Sequence, residues 1–191
     1  MKNLKGIAAV VMSAVLCLSL TATVFAEEEV QEINWTEEME QAVAQAGIEG
    51  EFVAIDKVAL QMFIPAAMRD AELSEEEKGE GMIACYVTED DSAIVTVRYL
   101  DGEGVTLEDY SSALEEMEDV SDLDVVIVNG IPYLDYALKK DDCGCLATVT
   151  ESGYILEFVF YPMSDEGFAS VAGIMLSSIQ PVDAEEEVPA A

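Results

Sequence analysis

Alternating hydrophobic and polar positions predict that much of the chain after residue 50 is β-strand. Every second side chain from Ala93 to Tyr99 is hydrophobic and would face one side of a sheet. The alternate set of that run is not wholly polar, because it combines Arg98 with Ile94 and Leu100. Both faces of the sheet are therefore expected to be at least partly covered.

Turn residues between these runs predict several hairpins. Asn129-Gly130, placed between two β-rich runs, favours a type I′ turn, which needs positive φ at both positions. Further hairpins are predicted for residues 51–55 with 58–64 and for residues 81–88 with 93–100, and further reversals at 139–144 and 151–153. Residues 125–161 are therefore predicted to form successive strands at the centre of the sheet.

Helix caps interrupt the strand pattern at four places. Asn34 with Glu37 and Thr106 with Asp109 have the spacing of capping boxes, and Ser164 precedes a run with one apolar stripe. Residues 66–81 are polar, with one helical turn capped by Ser74. This longest internal loop is a reasonable place for function, although its acids fit a solvated surface as well.

The order of these elements predicts an α+β fold. We expect a mostly antiparallel sheet of about six to seven strands, with helices packed on its faces and the N-terminal helix against its back. Residues 34–181 form the predicted single domain, residues 27–33 a disordered acidic lead, and residues 182–191 an acidic disordered tail.

The first 26 residues have the pattern of a secretory signal peptide. Lys2 and Lys5 precede an apolar run that ends in small residues at Ala26, and acids follow immediately. Cys17 follows Leu16 and not a small residue, so we assign it to the discarded peptide and not to a lipid attachment site. We predict export, with no membrane anchor after cleavage, to an extracellular or cell-envelope location.

Charge limits the partners. The chain carries 40 acidic and 8 basic residues, and because the first 26 residues hold two lysines and no acid, their removal takes the formal net charge from −32 to −34. Such a surface repels nucleic acid and anionic membranes, so we expect no nucleic-acid partner. It favours cationic partners, although solubility in an extracellular medium is the simpler interpretation of net charge alone.

The chain contains no histidine. This absence excludes Ser-His-Asp and Cys-His catalysis and every histidine-ligated metal site, and leaves serine-lysine, carboxylate-pair and thiol chemistry open. No catalytic, cofactor-binding or metal-binding residue is assigned from the sequence. We expect no cofactor.

Three cysteines remain in the exported chain, namely Cys85, Cys143 and Cys145. The odd number leaves at least one thiol unpaired or paired between chains. Our first interpretation is a disulfide from Cys85 to Cys143 or Cys145, which requires neighbouring strands. The alternative is a redox or soft-metal role for the Cys-Gly-Cys pair, against which Asp141 and Asp142 would raise the thiol pKa values.

Calcium binding is a second alternative. Residues 119–124 and residues 101–104 place oxygen ligands at near-alternating positions, but both lack the full EF-hand pattern. The acids around residues 115–119, at a predicted helix C-terminus, suggest a bound cation or simple hydration. Plain turns and hydrated acids are the simpler interpretation of all three segments.

Four segments together resemble a known family: residues 62–65 (MFIP), VRYLDGEGVTLEDYSSALEEM, VVIVNGIPYLDYAL and FASVAGIMLSSIQP. Their order is similar to that of the PsbP-like α/β/α sandwich, and to small exported proteins of anaerobic Gram-positive bacteria without an assigned activity. The resemblance covers residues 52–181. It implies a non-enzymatic binding or assembly module and carries over no functional residue.

We therefore predict a secreted, acidic binding or interaction module without enzymatic activity. Its partner would be a protein or a small-molecule ligand, cationic if the surface charge takes part. The alternative is a thiol/disulfide or soft-metal-binding protein that uses the Cys-Gly-Cys pair.

Overall fold

A computed structural model of the chain describes residues 30–182. The predicted signal peptide, Cys17 and residues 183–191 of the predicted tail lie outside these described residues. Within the described range, eleven strands and four helices follow one another. The strands are β1 (Gln31–Ile33), β2 (Gly50–Ile55), β3 (Leu60–Pro65), β4 (Met68–Asp70), β5 (Met82–Thr88), β6 (Ile94–Asp101), β7 (Val120–Val128), β8 (Ile131–Leu138), β9 (Cys143–Val149), β10 (Tyr154–Tyr161) and β11 (Gln180–Pro181). The helices are α1 (Glu37–Gln45), α2 (Glu75–Gly79), α3 (Leu107–Glu115) and α4 (Glu166–Ser177).

Two sheets share these strands. The main sheet has the order β1-β7-β8-β9-β10-β6-β5-β4, and its only parallel pair is β1 with β7; the small sheet has the order β11-β3-β2. The predicted α+β fold with a mostly antiparallel sheet is confirmed. The strand count differs, because the hairpin 51–64 lies in the small sheet and three short strands, β1, β4 and β11, lack a pattern long enough to recognise.

The predicted centre of the sheet is confirmed. Strands β7 to β10, which span most of residues 125–161, are consecutive in the main sheet. The hairpin between β7 and β8 turns at Asn129 and Gly130, with φ values of 48° and 82°. Both are positive, as a type I′ turn requires. Gln31–Ile33, the end of the segment expected to be a disordered lead, is ordered as β1 beside this hairpin.

The Asn129 side chain joins three elements at this turn. Its Nδ2 donates to the carbonyl oxygens of Ser177 at 2.9 Å and Ile179 at 2.7 Å, at the end of α4. Its Oδ1 accepts from the backbone N–H of Trp35 at 2.6 Å, just before α1. These bonds satisfy carbonyls that the end of a helix would otherwise leave unpaired.

Helix caps confirm two predictions and correct two. Ser74 and Thr106 form capping boxes with Glu77 and Asp109. The cap of α1 is Thr36 and not Asn34, because the Met39 N–H reaches the Thr36 hydroxyl at 3.3 Å. The cap of α4 is Asp165 and not Ser164, with the Phe168 N–H donating to Asp165 at 2.8 Å.

The two faces of the main sheet differ in what covers them. The inner face, which includes Tyr133, Leu146 and Phe158, packs with the small sheet and α4 in the largest apolar cluster. The outer face, which includes Leu134 and Cys145, packs against Leu107, Tyr110 and Leu114 of α3. The expectation that the N-terminal helix covers the back is wrong. Val43 of α1 instead contacts Phe63 of the small sheet and Ile174 of α4. These three residues form a separate apolar cluster with the aromatic residues Trp35 and Phe52.

Candidate functional site

A cleft opens between the edges of the two sheets, and we call it the edge cleft. Its walls are β2 at the end of the small sheet and β4 with β5 at the end of the main sheet. The segment that follows β4, Ala71 to Leu73, closes one side. The volume of the cleft is about 860 Å³, which is enough for a small organic ligand or a short stretch of peptide.

The edge cleft combines an apolar floor with acidic walls. Met68 and Tyr86 are buried at its base, with exposed fractions of 8% and 5%. Five carboxylates and one ammonium group lie around it, and Lys78 is already paired with Glu75 at 3.0 Å. The carboxylates belong to Glu49, Glu51, Asp56, Asp70 and Glu72. Such a cleft favours a cation that carries some apolar surface.

Part of this cleft follows from the sequence and part does not. The loop 66–81, expected as a place for function, supplies Ala66, Leu73 and Lys78 to it. The opposite wall, with Glu49 and Glu51, comes from a hairpin that the sequence shows only as a strand pair. No local pattern in the sequence shows that this hairpin belongs to a second sheet. Its acidic residues could therefore not be recognised as part of a cleft.

A buried carboxylate on the outer face is a second notable group. Glu157, in the middle of β10, is 6% exposed. It accepts from the hydroxyl of Tyr136 and, at 3.3 Å, from that of Tyr110 on α3. The guanidinium of Arg98, on neighbouring β6, lies 3.3 Å away. A buried charge is costly unless such partners satisfy it, so this group of four side chains holds α3 against the sheet.

The pKa values of the outer-face hydroxyls are raised. Burial, followed by the negative charge of Glu157, raises the pKa of Tyr110 to about 12 and raises that of Tyr136 further. Both hydroxyls therefore stay protonated and act as donors to Glu157. The sequence signal for this group was the single acid inside the apolar run ILEFVF, opposite Arg98 in VTVRYL.

The three predicted thiols are not brought together. Cys85, Cys143 and Cys145 are free. Cys85 on β5 and Cys145 on β9 occupy one row of the sheet, but Thr96 on β6 and Val159 on β10 lie between them. Three strand spacings amount to roughly 14 Å, whereas a disulfide needs Cα atoms within about 7 Å. The predicted disulfide from Cys85 is therefore wrong, because β5 and β9 are not neighbours.

The environment of the thiols opposes reactivity. Burial is the first cause that raises the pKa of each, and Asp141 and Asp142 add to it at Cys143. Cys145 is 1% exposed, beneath α3. A nucleophilic or metal-binding cysteine needs its thiolate, which these surroundings disfavour.

The segments considered for calcium have structural roles: residues 102–104 form the turn after β6, whereas residues 120–124 lie within β7. Asp101 accepts from the Glu103 N–H at 2.9 Å, and Asp119 accepts from the Lys140 N–H at 3.0 Å. Within residues 30–182, no three acidic or cysteine side chains converge in a way that could hold a metal ion. In the same range no helix has the length and apolar character needed to cross a membrane.

Comparison with known proteins extends only to the fold. No family model and no curated protein matches the chain. Its structure is similar to the solution structure of cyanobacterial PsbP (CyanoP) from Synechocystis sp. PCC 6803, with 11% identity, a TM-score of 0.47, and coverage of 69% of this chain and 91% of that one. This similarity agrees with the PsbP-like order of elements predicted from the sequence.

A second similar structure comes from Bacteroides thetaiotaomicron VPI-5482. Its identity is 16% and its TM-score 0.45, over 75% of this chain. The present chain spans 53% of the length of that one. Neither similarity indicates what this protein binds.

Proposed function

We propose that this protein is an exported binding module, without enzymatic activity, whose edge cleft takes a cationic ligand. The observation that carries the proposal is the cleft itself: about 860 Å³, with five carboxylates around a floor that includes Met68 and Tyr86. Each carboxylate also lies in the field of a chain with a strong negative net charge. Such a field raises the local concentration and the association rate of cations.

The thiol alternative receives no support from the positions of the cysteines. A redox pair would need a lowered pKa and solvent access, and the surroundings of Cys143 and Cys145 raise both pKa values. Nothing in the edge cleft depends on a thiol. We therefore retain the binding module as the single proposed function.

Titration with spermine, a flexible tetracation, tests the proposal. We expect chemical-shift changes in the amides of Gly50, Ala54 and Asp70, and weakening with salt as the Debye length shortens from about 30 Å at 0.01 M to about 10 Å at 0.1 M. Equal shifts over the whole acidic surface would contradict a specific cleft.

A pair of matched variants separates the cleft from the general charge. Glu51→Gln with Asp70→Asn removes two cleft carboxylates, and Glu115→Gln with Glu116→Gln removes two exposed carboxylates from the end of α3. Both variants have the same net charge. We expect about five- to tenfold weaker spermine binding from the first, if each surface pair contributes about 0.5–0.7 kcal/mol, and a change of less than about twofold from the second.

A further inference from the structure

The outer edge of β2 carries backbone groups that no other described strand pairs. β2 ends the small sheet, and β3 is its only neighbour. The Phe63 N–H on β3 donates to the Ser178 hydroxyl at 2.8 Å, on the side of β3 away from β2. In an antiparallel ladder, its partner Phe52 must then direct its own N–H and C=O outward. Alternate residues of a strand direct their backbone groups the same way, so the N–H and C=O groups of Gly50 and Ala54 also point outward.

This edge borders the edge cleft along its length. Gly50 and Ala54 are exposed residues that line the cleft. The opposite wall ends in β4, which has three residues against the six of β2. An added strand would therefore find more consecutive backbone partners on β2 than on β4.

The acidic side chains face the interior of this space. Residues of β2 alternate in direction, so Glu51 and Val53 share a side with Ile55, which is buried in the inner-face cluster. On the facing wall, Asp70 pairs with Tyr86, whose side chain is in the same cluster. Carboxylates thus approach the cleft from both walls, and every second side chain of a strand lying there would meet them.

We propose that the edge cleft binds an extended basic segment of a partner protein, which adds to β2 as an antiparallel fourth strand of the small sheet. This inference rests on the proposed function and specifies the class of partner. Backbone hydrogen bonds to Gly50, Phe52 and Ala54 supply the pairing, and lysine or arginine at every second position meets Glu51 and Asp70. Antiparallel addition continues the pattern of the small sheet and is the more stable pairing.

The register makes a definite prediction about which peptide amides matter. Residues directly opposite Gly50, Phe52 and Ala54 turn their N–H groups toward β2, and their side chains point away from the cleft. In a synthetic heptapeptide Lys-Val-Lys-Val-Lys-Val-Lys, these are the valines. N-methylation of the valine amides should abolish binding, whereas N-methylation of the lysine amides at positions three and five should leave it within about threefold, less than 1 kcal/mol.

Calorimetric titration of the purified protein with the three peptides and with spermine decides the question. Loss of binding with the valine-methylated peptide alone supports strand addition. Equal binding of both methylated peptides overturns it while leaving a cation-binding cleft intact. Selective loss with the lysine-methylated peptide would overturn the antiparallel register, since parallel pairing uses the other amides.

Failure of the proposed function has a different signature. If neither spermine nor any peptide gives shifts in the amides of Gly50, Ala54 and Asp70, the cleft binds no cation and both proposals fall. The carboxylates would then act only to keep an exposed strand edge from pairing with other chains. In that case Glu51→Gln with Asp70→Asn should increase self-association, measured by sedimentation, relative to Glu115→Gln with Glu116→Gln.

Discussion

The inner and outer faces of the main sheet are built on different principles. On the inner face, stability comes from close-packed apolar side chains such as Phe158 and Leu146, both fully buried. On the outer face, α3 covers a smaller apolar cluster, and beside it the buried Glu157 is held by two hydroxyls and a guanidinium. We therefore expect loss of volume to cost most on the inner face, and loss of the buried charge to be the characteristic weakness of the outer face.

Removal of volume from the inner face should have the largest effect. Phe158→Ala deletes a fully buried ring that lies 6.5 Å from the ring of Tyr133 in an edge-to-face arrangement. We expect a loss of about 3–5 kcal/mol in the free energy of unfolding, measured by urea denaturation. Val159→Ala, the next residue on the half-buried outer side, is the control and should cost about 1 kcal/mol. Equal losses would show that the two faces do not differ in packing.

Removal of the buried charge should have the next largest effect. Glu157→Leu leaves the Tyr136 hydroxyl and the Arg98 guanidinium without their acceptor, so we expect a loss of about 2–3 kcal/mol. Because the partners form one network, Tyr136→Phe should cost less in the Glu157→Leu background than in the natural chain. A double-mutant cycle in urea denaturation measures this coupling. Additive losses would mean that Glu157 does not depend on the hydroxyl.

Asp135 is a charged residue on the largely apolar inner side of the main sheet. Removal of its charge should stabilise the protein, whereas the substitutions above destabilise it. Its partner across the strands on one side is Leu146, in the inner-face cluster, and on the other side Asp124. Burial, and then the charges of Asp124 and Asp122, raise the pKa of Asp135 to about 6. The folded state therefore binds the proton more tightly than the unfolded state, and stability from this group is present below about pH 4 and lost as the pH rises through 6.

Asp135→Asn should consequently stabilise the protein at pH 7, by about 1–3 kcal/mol. The gain over the natural chain should shrink as the pH falls from 7 to 4, since protonation then removes the same charge. Denaturation curves at several pH values in this window provide the measurement. A gain that does not change with pH would contradict the raised pKa.

The smallest effect concerns the hydroxyl of Tyr110. Its pKa of about 12 exceeds the ordinary value of 10, so the unfolded chain loses this proton first and stability falls as the pH rises from 10 to 12. Tyr110→Phe should remove about 0.5–1.5 kcal/mol at neutral pH, the typical contribution of one hydrogen bond. It should also make the loss of stability between pH 10 and 12 shallower than in the natural chain. An unchanged slope would show that Tyr110 ionises freely.

The local features of the fold were predictable from sequence because short-range chemistry determines them. Asn129-Gly130 specifies its turn through positive φ, and Ser74 and Thr106 specify helix starts through the acid three residues on. Alternation placed Ala93, Val95 and Val97 on one face of a strand, and all three are buried. Each of these signals lies within four residues of the feature that it predicts.

The order of the strands was not predictable in the same way. Cys85 and Cys145 point to the same side of the main sheet, but no local signal in the sequence shows that two strands lie between them. The edge cleft was unpredictable for the same reason, because its walls come from strands of different sheets. Pairing over long separations depends on the total burial of many side chains, and a single segment does not reveal it.

The positions of the three cysteines in the main sheet determine how quickly each thiol becomes accessible to a reagent. Cys145 lies under α3 at the centre of the sheet, whereas Cys85 and Cys143 are only half-buried. A thiol reagent added to the native protein would therefore encounter events on different timescales, from local fluctuations at the two half-buried sites to the rare opening that lifts α3 from the sheet. The three thiols should therefore react at different rates. The rate of the last one, Cys145, measures how often α3 separates from the outer face.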